Sequence, residues 1–213
     1  MHIPDGFLTP QVWAPLGVAS ASAVAYAARR AKHDLPPEKV PLVGAMAAFI
    51  FAAQMVNFRV AAGTSGHLVG AVLAAALLGP YGAVVAMTVV LVVQCLVFQD
   101  GGVTALGANV LNMALVGAWL GWPMAAGLAR LTRSRALRLT AVGLGAAVAV
   151  VLGAALCSAE LALSGTVPWR VVLPVMVGVH VLIGLGEAVL TVLALALISS
   201  WRPDLVPLLA SAE

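Results

Sequence analysis

Long apolar runs separated by short polar loops make up almost the whole chain. The first run, 9–28, is uncharged and about as long as the ~20 residues that a membrane-crossing helix needs. Ala19, Ala21, Ser22, Ala23 and Ala25 give it a small-residue surface suited to close helix contact. A cleavable signal peptide is the alternative. No Lys or Arg precedes Arg29 and a basic cluster follows, so the run reads as a retained helix. The second run, 41–58, carries Gln54 and Asn57, polar groups that need partners in a bilayer. The third, 67–78, is short enough to be tilted or partly re-entrant. Gly79-Pro80-Tyr81-Gly82 then predicts a tight turn before the fourth run, 83–98. Gln99-Asp100-Gly101-Gly102 is a polar turn. The fifth run, 104–129, has Asn109 and Asn112 near its start, and the sixth, 139–163, has Glu160 near its end. The seventh, 171–198, holds Pro174, His180 and Glu187. The pattern predicts an all-α polytopic membrane protein of about seven helices, one domain over 1–213 with a short polar segment, 1–8, in front.

Composition agrees. The chain of 213 residues is 62% hydrophobic and 9% charged, with mean hydropathy +1.07. A soluble domain carries about 25% charged residues. Charge then orients the helices. Arg29, Arg30, Lys32, Lys39, Arg130, Arg133, Arg135, Arg138 and Arg202 fall in alternate loops and the tail, leaving only Arg59 and Arg170 for the other side. By the positive-inside rule this places the N-terminus outside and the C-terminus in the cytoplasm. The formal charge of +3 is therefore an orientation signal, not a nucleic-acid footprint. No nucleotide-binding loop is present, so the chain shows no energy source of its own. Cys95 and Cys157 lie in apolar runs and read as packing residues.

The first residues carry the candidate chemistry. With Met1 as the first residue, its α-amine, the His2 amide nitrogen and the His2 imidazole lie close together. Amine and amide can close a five-membered ring on one ion, and amide and Nδ1 a six-membered ring. Such nitrogens suit a planar or tetragonal transition-metal site. Met1 is expected to be retained, because histidine is too large for initiator removal. Pro4 stiffens the segment and Asp5-Gly6 can turn it back. A solvated terminal histidine is the plainer alternative. His67, after Gly66 and on the same predicted outer side as Met1, His2 and Asp100, is a candidate fourth ligand; a capping histidine bonded to a carbonyl is the alternative.

Together these stretches resemble a known family. Met1 to Phe7, Phe51-Ala52-Ala53-Gln54-Met55-Val56-Asn57-Phe58, Gly63-Thr64-Ser65-Gly66-His67-Leu68, Asp100-Gly101-Gly102, Leu106-Gly107-Ala108-Asn109 with Asn112-Met113, and Gly184-Leu185-Gly186-Glu187-Ala188 are similar, in order, to the CbiM/NikM family. These are the substrate-binding S-components of energy-coupling-factor transporters for cobalt and nickel, membrane proteins of the bacterial cytoplasmic membrane whose cobalt branch serves cobalamin biosynthesis. The resemblance implies that Met1, His2 and His67 hold a transported Co²⁺ or Ni²⁺ and that a loop after the second helix closes over it. It implies that Asp5, Asn57, Ser65, Asp100, Asn109 and Asn112 hold the N-terminal segment and the His67 loop in place. It implies a transmembrane coupling subunit, cytoplasmic ATPases and a small two-helix accessory membrane protein, not fused here. The chain itself would catalyse nothing.

Glu187 and His180 lie seven apart, on roughly one helix face, and one could draw a second metal or proton site from them. Two ligands are too few, so packing or coupling contacts are the favoured role for Glu187. A self-sufficient secondary transporter would want more buried charge and paired repeats. An intramembrane metalloprotease would want a His-Glu-x-x-His helix, which is absent. Between the two ions, a four-nitrogen plane suits Ni²⁺, while the wording of the motifs is slightly closer to the cobalt branch.

Overall fold

A computed structural model describes residues 1–59 and 65–210. Gly63 and Thr64, and with them the middle of the loop expected to close over the ion, lie outside the described residues. Nearly everything else is helix. Helix α1, Pro10–Asp34, starts with proline at its first position, where a missing N–H costs nothing, and stops before Pro36 and Pro37. The basic stretch expected as a loop therefore forms its last turns, with Arg30 packed 5.4 Å from the Tyr81 ring centre. Helix α2, Val40–Gln54, ends earlier than the second apolar run. Its last part becomes β1, Phe58–Arg59, paired antiparallel with β2, Ser65–Gly66.

The third and fourth runs form one element, α3, Ala71–Phe98, broken at Gly79 (φ 73°, ψ 168°), a backbone that a side chain disfavours. This break is a reversal. His67 just before α3 and Asp100 just after it both reach His2 Nδ1, at 2.9 and 3.5 Å. A straight helix of 28 residues would hold its ends about 42 Å apart. The expected tight turn is thus real, and residues 71–78 and 80–98 run in opposite senses. Next come α4, Leu106–Val110, a π-helical stretch over Leu111–Gly121, and α5, Trp122–Arg130. Helix α6, Arg135–Leu163, and α7, Trp169–Trp201, are the longest, and a short α8, Pro207–Ala210, ends the described chain.

Among the described residues, four helical stretches are long and apolar enough to cross a membrane: Ala71–Phe98, Leu106–Arg130, Arg135–Leu163 and Trp169–Trp201. Their outer faces are apolar too, as with Leu182, Leu185, Val189, Leu193 and Leu197 on α7. A surface of that kind is stable against acyl chains, not water. The protein is a multi-pass, all-α membrane protein.

Its two ends differ. At one end the N-terminal segment meets the loops 65–70, 99–105 and 164–168: the Thr9 N–H donates to Ser164 Oγ (3.1 Å), and the Thr166 hydroxyl to the Phe7 carbonyl. At the other end a cavity of about 500 Å³ is lined by Asp34, Lys39, Gly79, Arg130, Arg138 and Pro207. Arg138 Nη1 also donates to the Leu208 carbonyl (2.8 Å), and Arg135 Nη2 to Ser199 Oγ (2.9 Å). The basic residues sorted by the sequence into one set of loops gather here.

The end that carries the site is tied together by α1 against α4. Ser20 Oγ donates to the Gly107 carbonyl (2.7 Å), and a Cβ on Gly107 would lie 2.5 Å from Gly17 Cα. Gly107→Ala is therefore expected to push α1 off α4 and destabilise the fold by about 1–3 kcal/mol, the usual cost of overpacking. A lowered thermal-unfolding midpoint in detergent checks this; an unchanged one refutes it.

Candidate metal centre

Residues 1–3 run into the bundle instead of into solvent: Met1 is 1%, His2 3% and Ile3 0% exposed. Three anchors explain why. The Ile3 N–H donates to Asn109 Oδ1 (2.8 Å), and the Ile3 carbonyl accepts from Asn109 Nδ2 (3.2 Å) and from the Gly102 N–H (2.8 Å). Asp5 accepts the N–H groups of Val103 (3.0 Å) and Thr104 (2.8 Å) and the Thr104 hydroxyl. Those bonds, led by the Thr104 hydroxyl, hold the Asp5 carboxyl below its ordinary range. Finally, the Met1 thioether lies over Gly153 of α6, where an added Cβ would be 3.2 Å from Sδ. Gly102 leaves room for the crossing: a Cβ there would sit 2.3 Å from the Asp5 nitrogen.

This seating brings three nitrogens together. His67 Nε2 lies 2.9 Å from His2 Nδ1 and 3.4 Å from the Met1 amine. The His2 amide nitrogen lies between amine and imidazole in the chain. The outer hydrogen bonds fix the tautomers. His67 Nδ1–H donates to the Leu68 carbonyl (2.7 Å), leaving the lone pair on Nε2. His2 Nε2–H donates to Gln94 Oε1 (3.0 Å), leaving the lone pair on Nδ1. Two lone pairs thus face each other at 2.9 Å, an arrangement that favours a cation beside them. For metal–nitrogen bonds of about 2 Å, adjacent corners of a square plane lie about 2.8 Å apart.

Electrostatics prepare the donors. Burial lowers the Met1 amine to about 6, against smaller opposing effects from Cys157 and Asp100. Burial, then the nearby N-terminus, pushes His2 down to about 3, and both act on His67 in the same direction, well below its usual value. All three shifts favour the unprotonated form, in which the lone pairs are open to a metal. The amine also donates to the Ser65 carbonyl.

Around this cluster the expected residues separate. Asp100 Oδ1 lies 3.5 Å from His2 Nδ1, and Asn57 Nδ2 donates to Asp100 Oδ2 (3.2 Å). Burial raises the Asp100 carboxyl, with the N-terminus and Asn57 pulling the other way. Asp5 and Asn109 hold the N-terminal segment directly, and Ser65 contributes its carbonyl. Asn112 departs from the expectation. Its Nδ2 donates to Glu160 Oε2 (2.7 Å) of α6 and makes no hydrogen bond to the segment. Glu187 and His180 do not combine. Glu187 accepts the N–H groups of Val69 and Gly70, and His180 Nδ1 bonds the Met176 carbonyl (2.7 Å). Gln54 and Gln94 are fully buried beside the site, and Gln54 alone is singled out from the sequence, as a polar residue needing a partner. Gln94 sits in an apolar run of the same kind, and that was the signal for it. Among the described residues no group of three His, Cys, Asp or Glu side chains is arranged to hold a metal.

Known proteins resemble the chain over nearly its full length. A protein of Archaeoglobus fulgidus, named as a fused nickel transport protein NikMN, is 39% identical over 97% of this chain and 68% of its own length. A cobalt transport protein CbiM of Geobacter sulfurreducens is 35% identical over 97% of this chain and 61% of its own. The crystal structure of a truncated transition metal transporter superposes with a TM-score of 0.83 at 32% identity, covering 94% of this chain and 99% of that one. Residues 2–205 match the profile of CbiM, the cobalt uptake substrate-specific transmembrane region. With that profile spanning almost the whole chain, and relatives named as cobalt and nickel transport proteins, the chain belongs to the CbiM family.

Proposed function

We propose that the chain is the metal-capturing S-component of an ATP-driven importer. It takes Co²⁺ or Ni²⁺ from outside and passes it to the cytoplasm with a transmembrane coupling subunit and ATPases. A small two-helix accessory membrane protein completes the assembly. The Met1 amine, the His2 amide and imidazole nitrogens and His67 Nε2 bind the ion. The observation that carries this reading is the pair of lone-pair nitrogens, His2 Nδ1 and His67 Nε2, facing each other at 2.9 Å beside a buried amine. About seven crossings, N-terminus outside, fit the gathering of basic residues at the end opposite this site. Four nitrogens in a plane favour Ni²⁺ over Co²⁺ by geometry, and relatives named for either metal keep both as cargo.

Metal analysis of the protein purified with its native N-terminus tests the site. About one Co or Ni per chain is expected after loading, and none in His67→Ala, since a three-donor remnant no longer closes the plane. Equal metal in both proteins overturns the assignment.

A further inference from the structure

We propose that Glu187 is the positioning residue through which α7 holds both imidazoles of the metal site, an inference that rests on the metal reading above. Glu187 is 3% exposed, and no Lys or Arg pairs with it among the described residues. A lone carboxylate is costly to bury. Its two oxygens are used on two consecutive peptides: Oε2 accepts the Val69 N–H (2.8 Å) and Oε1 the Gly70 N–H (2.6 Å).

Each of those peptides leads to one histidine. The peptide joining Leu68 to Val69 presents its N–H to Glu187 and its carbonyl to His67 Nδ1–H (2.7 Å). The peptide joining Val69 to Gly70 presents its N–H to Glu187 and its carbonyl to Gln54 Nε2 (2.8 Å). Gln54 Oε1 accepts from Gln94 Nε2 (3.0 Å), and Gln94 Oε1 accepts from His2 Nε2 (3.0 Å). Both chains have every donor pointing toward the same carboxylate. Hydrogen bonds aligned this way polarise one another. The negative end enriches the free lone pairs of His2 Nδ1 and His67 Nε2 and locks both rings in rotation, as a carboxylate does when it bonds a metal-ligating histidine directly. A leucine of similar size would avoid the buried charge but leave two N–H groups unpaired.

The test follows Ni²⁺ leaving the loaded, full-length protein under excess chelator, together with the ligand-field absorption band of the bound ion. Glu187→Gln keeps the shape, but its amide can accept only one of the two N–H groups and meets the other donor to donor. It is expected to lose Ni²⁺ about 10–100-fold faster, the range typical of such outer partners, with the band shifted to lower energy. Gln94→Leu cuts the His2 branch alone and is expected to act less strongly in the same direction. The double variant is expected to lose less than the product of the two, because both act on one chain; additive effects indicate mere packing and overturn the proposal. A wild-type rate and band in Glu187→Gln, with His67→Ala devoid of metal, overturns the relay and leaves the site standing. A wild-type rate and band in Gln94→Leu does the same if Glu187→Gln fails to fold. Wild-type metal in His67→Ala removes the site reading and the relay together.

Discussion

A protein carrying two or more extra residues ahead of Met1 is expected to bind no Co²⁺ or Ni²⁺ at the N-terminal site. The extension turns the Met1 amine into an amide and removes the most basic of the main-chain donors. It also has nowhere to go, because Met1 is 1% exposed, its nitrogen donates to Ser65 and its side chain covers Gly153. Losing one donor and the seat of two others should weaken binding by at least ~1,000-fold, or about 4 kcal/mol. The length of the addition matters. A single extra residue puts histidine at the third position, where the amine, two amides and the imidazole can close a plane on their own without His67. Titration with a metal-indicator competitor separates the cases: the long extension should be silent, and retention of the native affinity by it would falsify the chelate.

Asn109→Leu is the second large effect. The Asn109 amide pairs with Ile3 as a neighbouring strand would, taking its N–H and giving to its carbonyl. Both partners are buried, so the lost bonds are not replaced by water. The carbonyl keeps the Gly102 N–H, but the Ile3 N–H is left with nothing. An orphaned buried donor costs about 1–3 kcal/mol and the second lost bond about 1 kcal/mol more. Together, about 2–4 kcal/mol is expected to appear as ~30- to 1,000-fold weaker metal affinity, because the segment that carries three of the four donor nitrogens is no longer seated. Asn112→Leu serves as the contrast: it breaks the pair with Glu160 and touches no hydrogen bond of the segment. Native affinity in Asn109→Leu would show that the segment is held by other means.

Much of this site could be read from residues alone, and the reason is chemical. An amine, an amide and an imidazole at positions one and two form chelate rings whatever the fold, whereas the supporting roles of Asp5, Asn57, Asp100 and Asn109 are implied only by the family resemblance. The partners of Glu187 could not be read, because they are main-chain N–H groups, and every residue except proline has one. Helix ends were missed where polarity and helicity part company. Arg29 to Asp34 is polar yet helical, because snorkelling basic side chains extend a helix past the bilayer edge. Met55 to Phe58 belongs to an apolar run yet is not helical, because the chain leaves the helix to pair Phe58–Arg59 with Ser65–Gly66. Nor does the π-helical stretch leave a trace in an almost wholly apolar sequence, where no polar face marks the period.

The piece of α3 over 71–78 has a glycine in the left-handed region at each end, Gly70 (φ 80°) and Gly79 (φ 73°). Eight helical residues span about 12 Å and do not bend easily. This is a connecting rod between two swivels. Its upper swivel is the peptide gripped by Glu187 beside His67, and its lower swivel lines the cavity with Lys39, Arg130 and Arg138. A shift of the basic end would be carried along the rod toward His67, one of the two imidazoles. The other imidazole sits on the N-terminal segment, which the rod does not carry. Displacing the rod would therefore pull the two halves of the ligand set apart, a mechanical way to drop an ion without a single proton being moved.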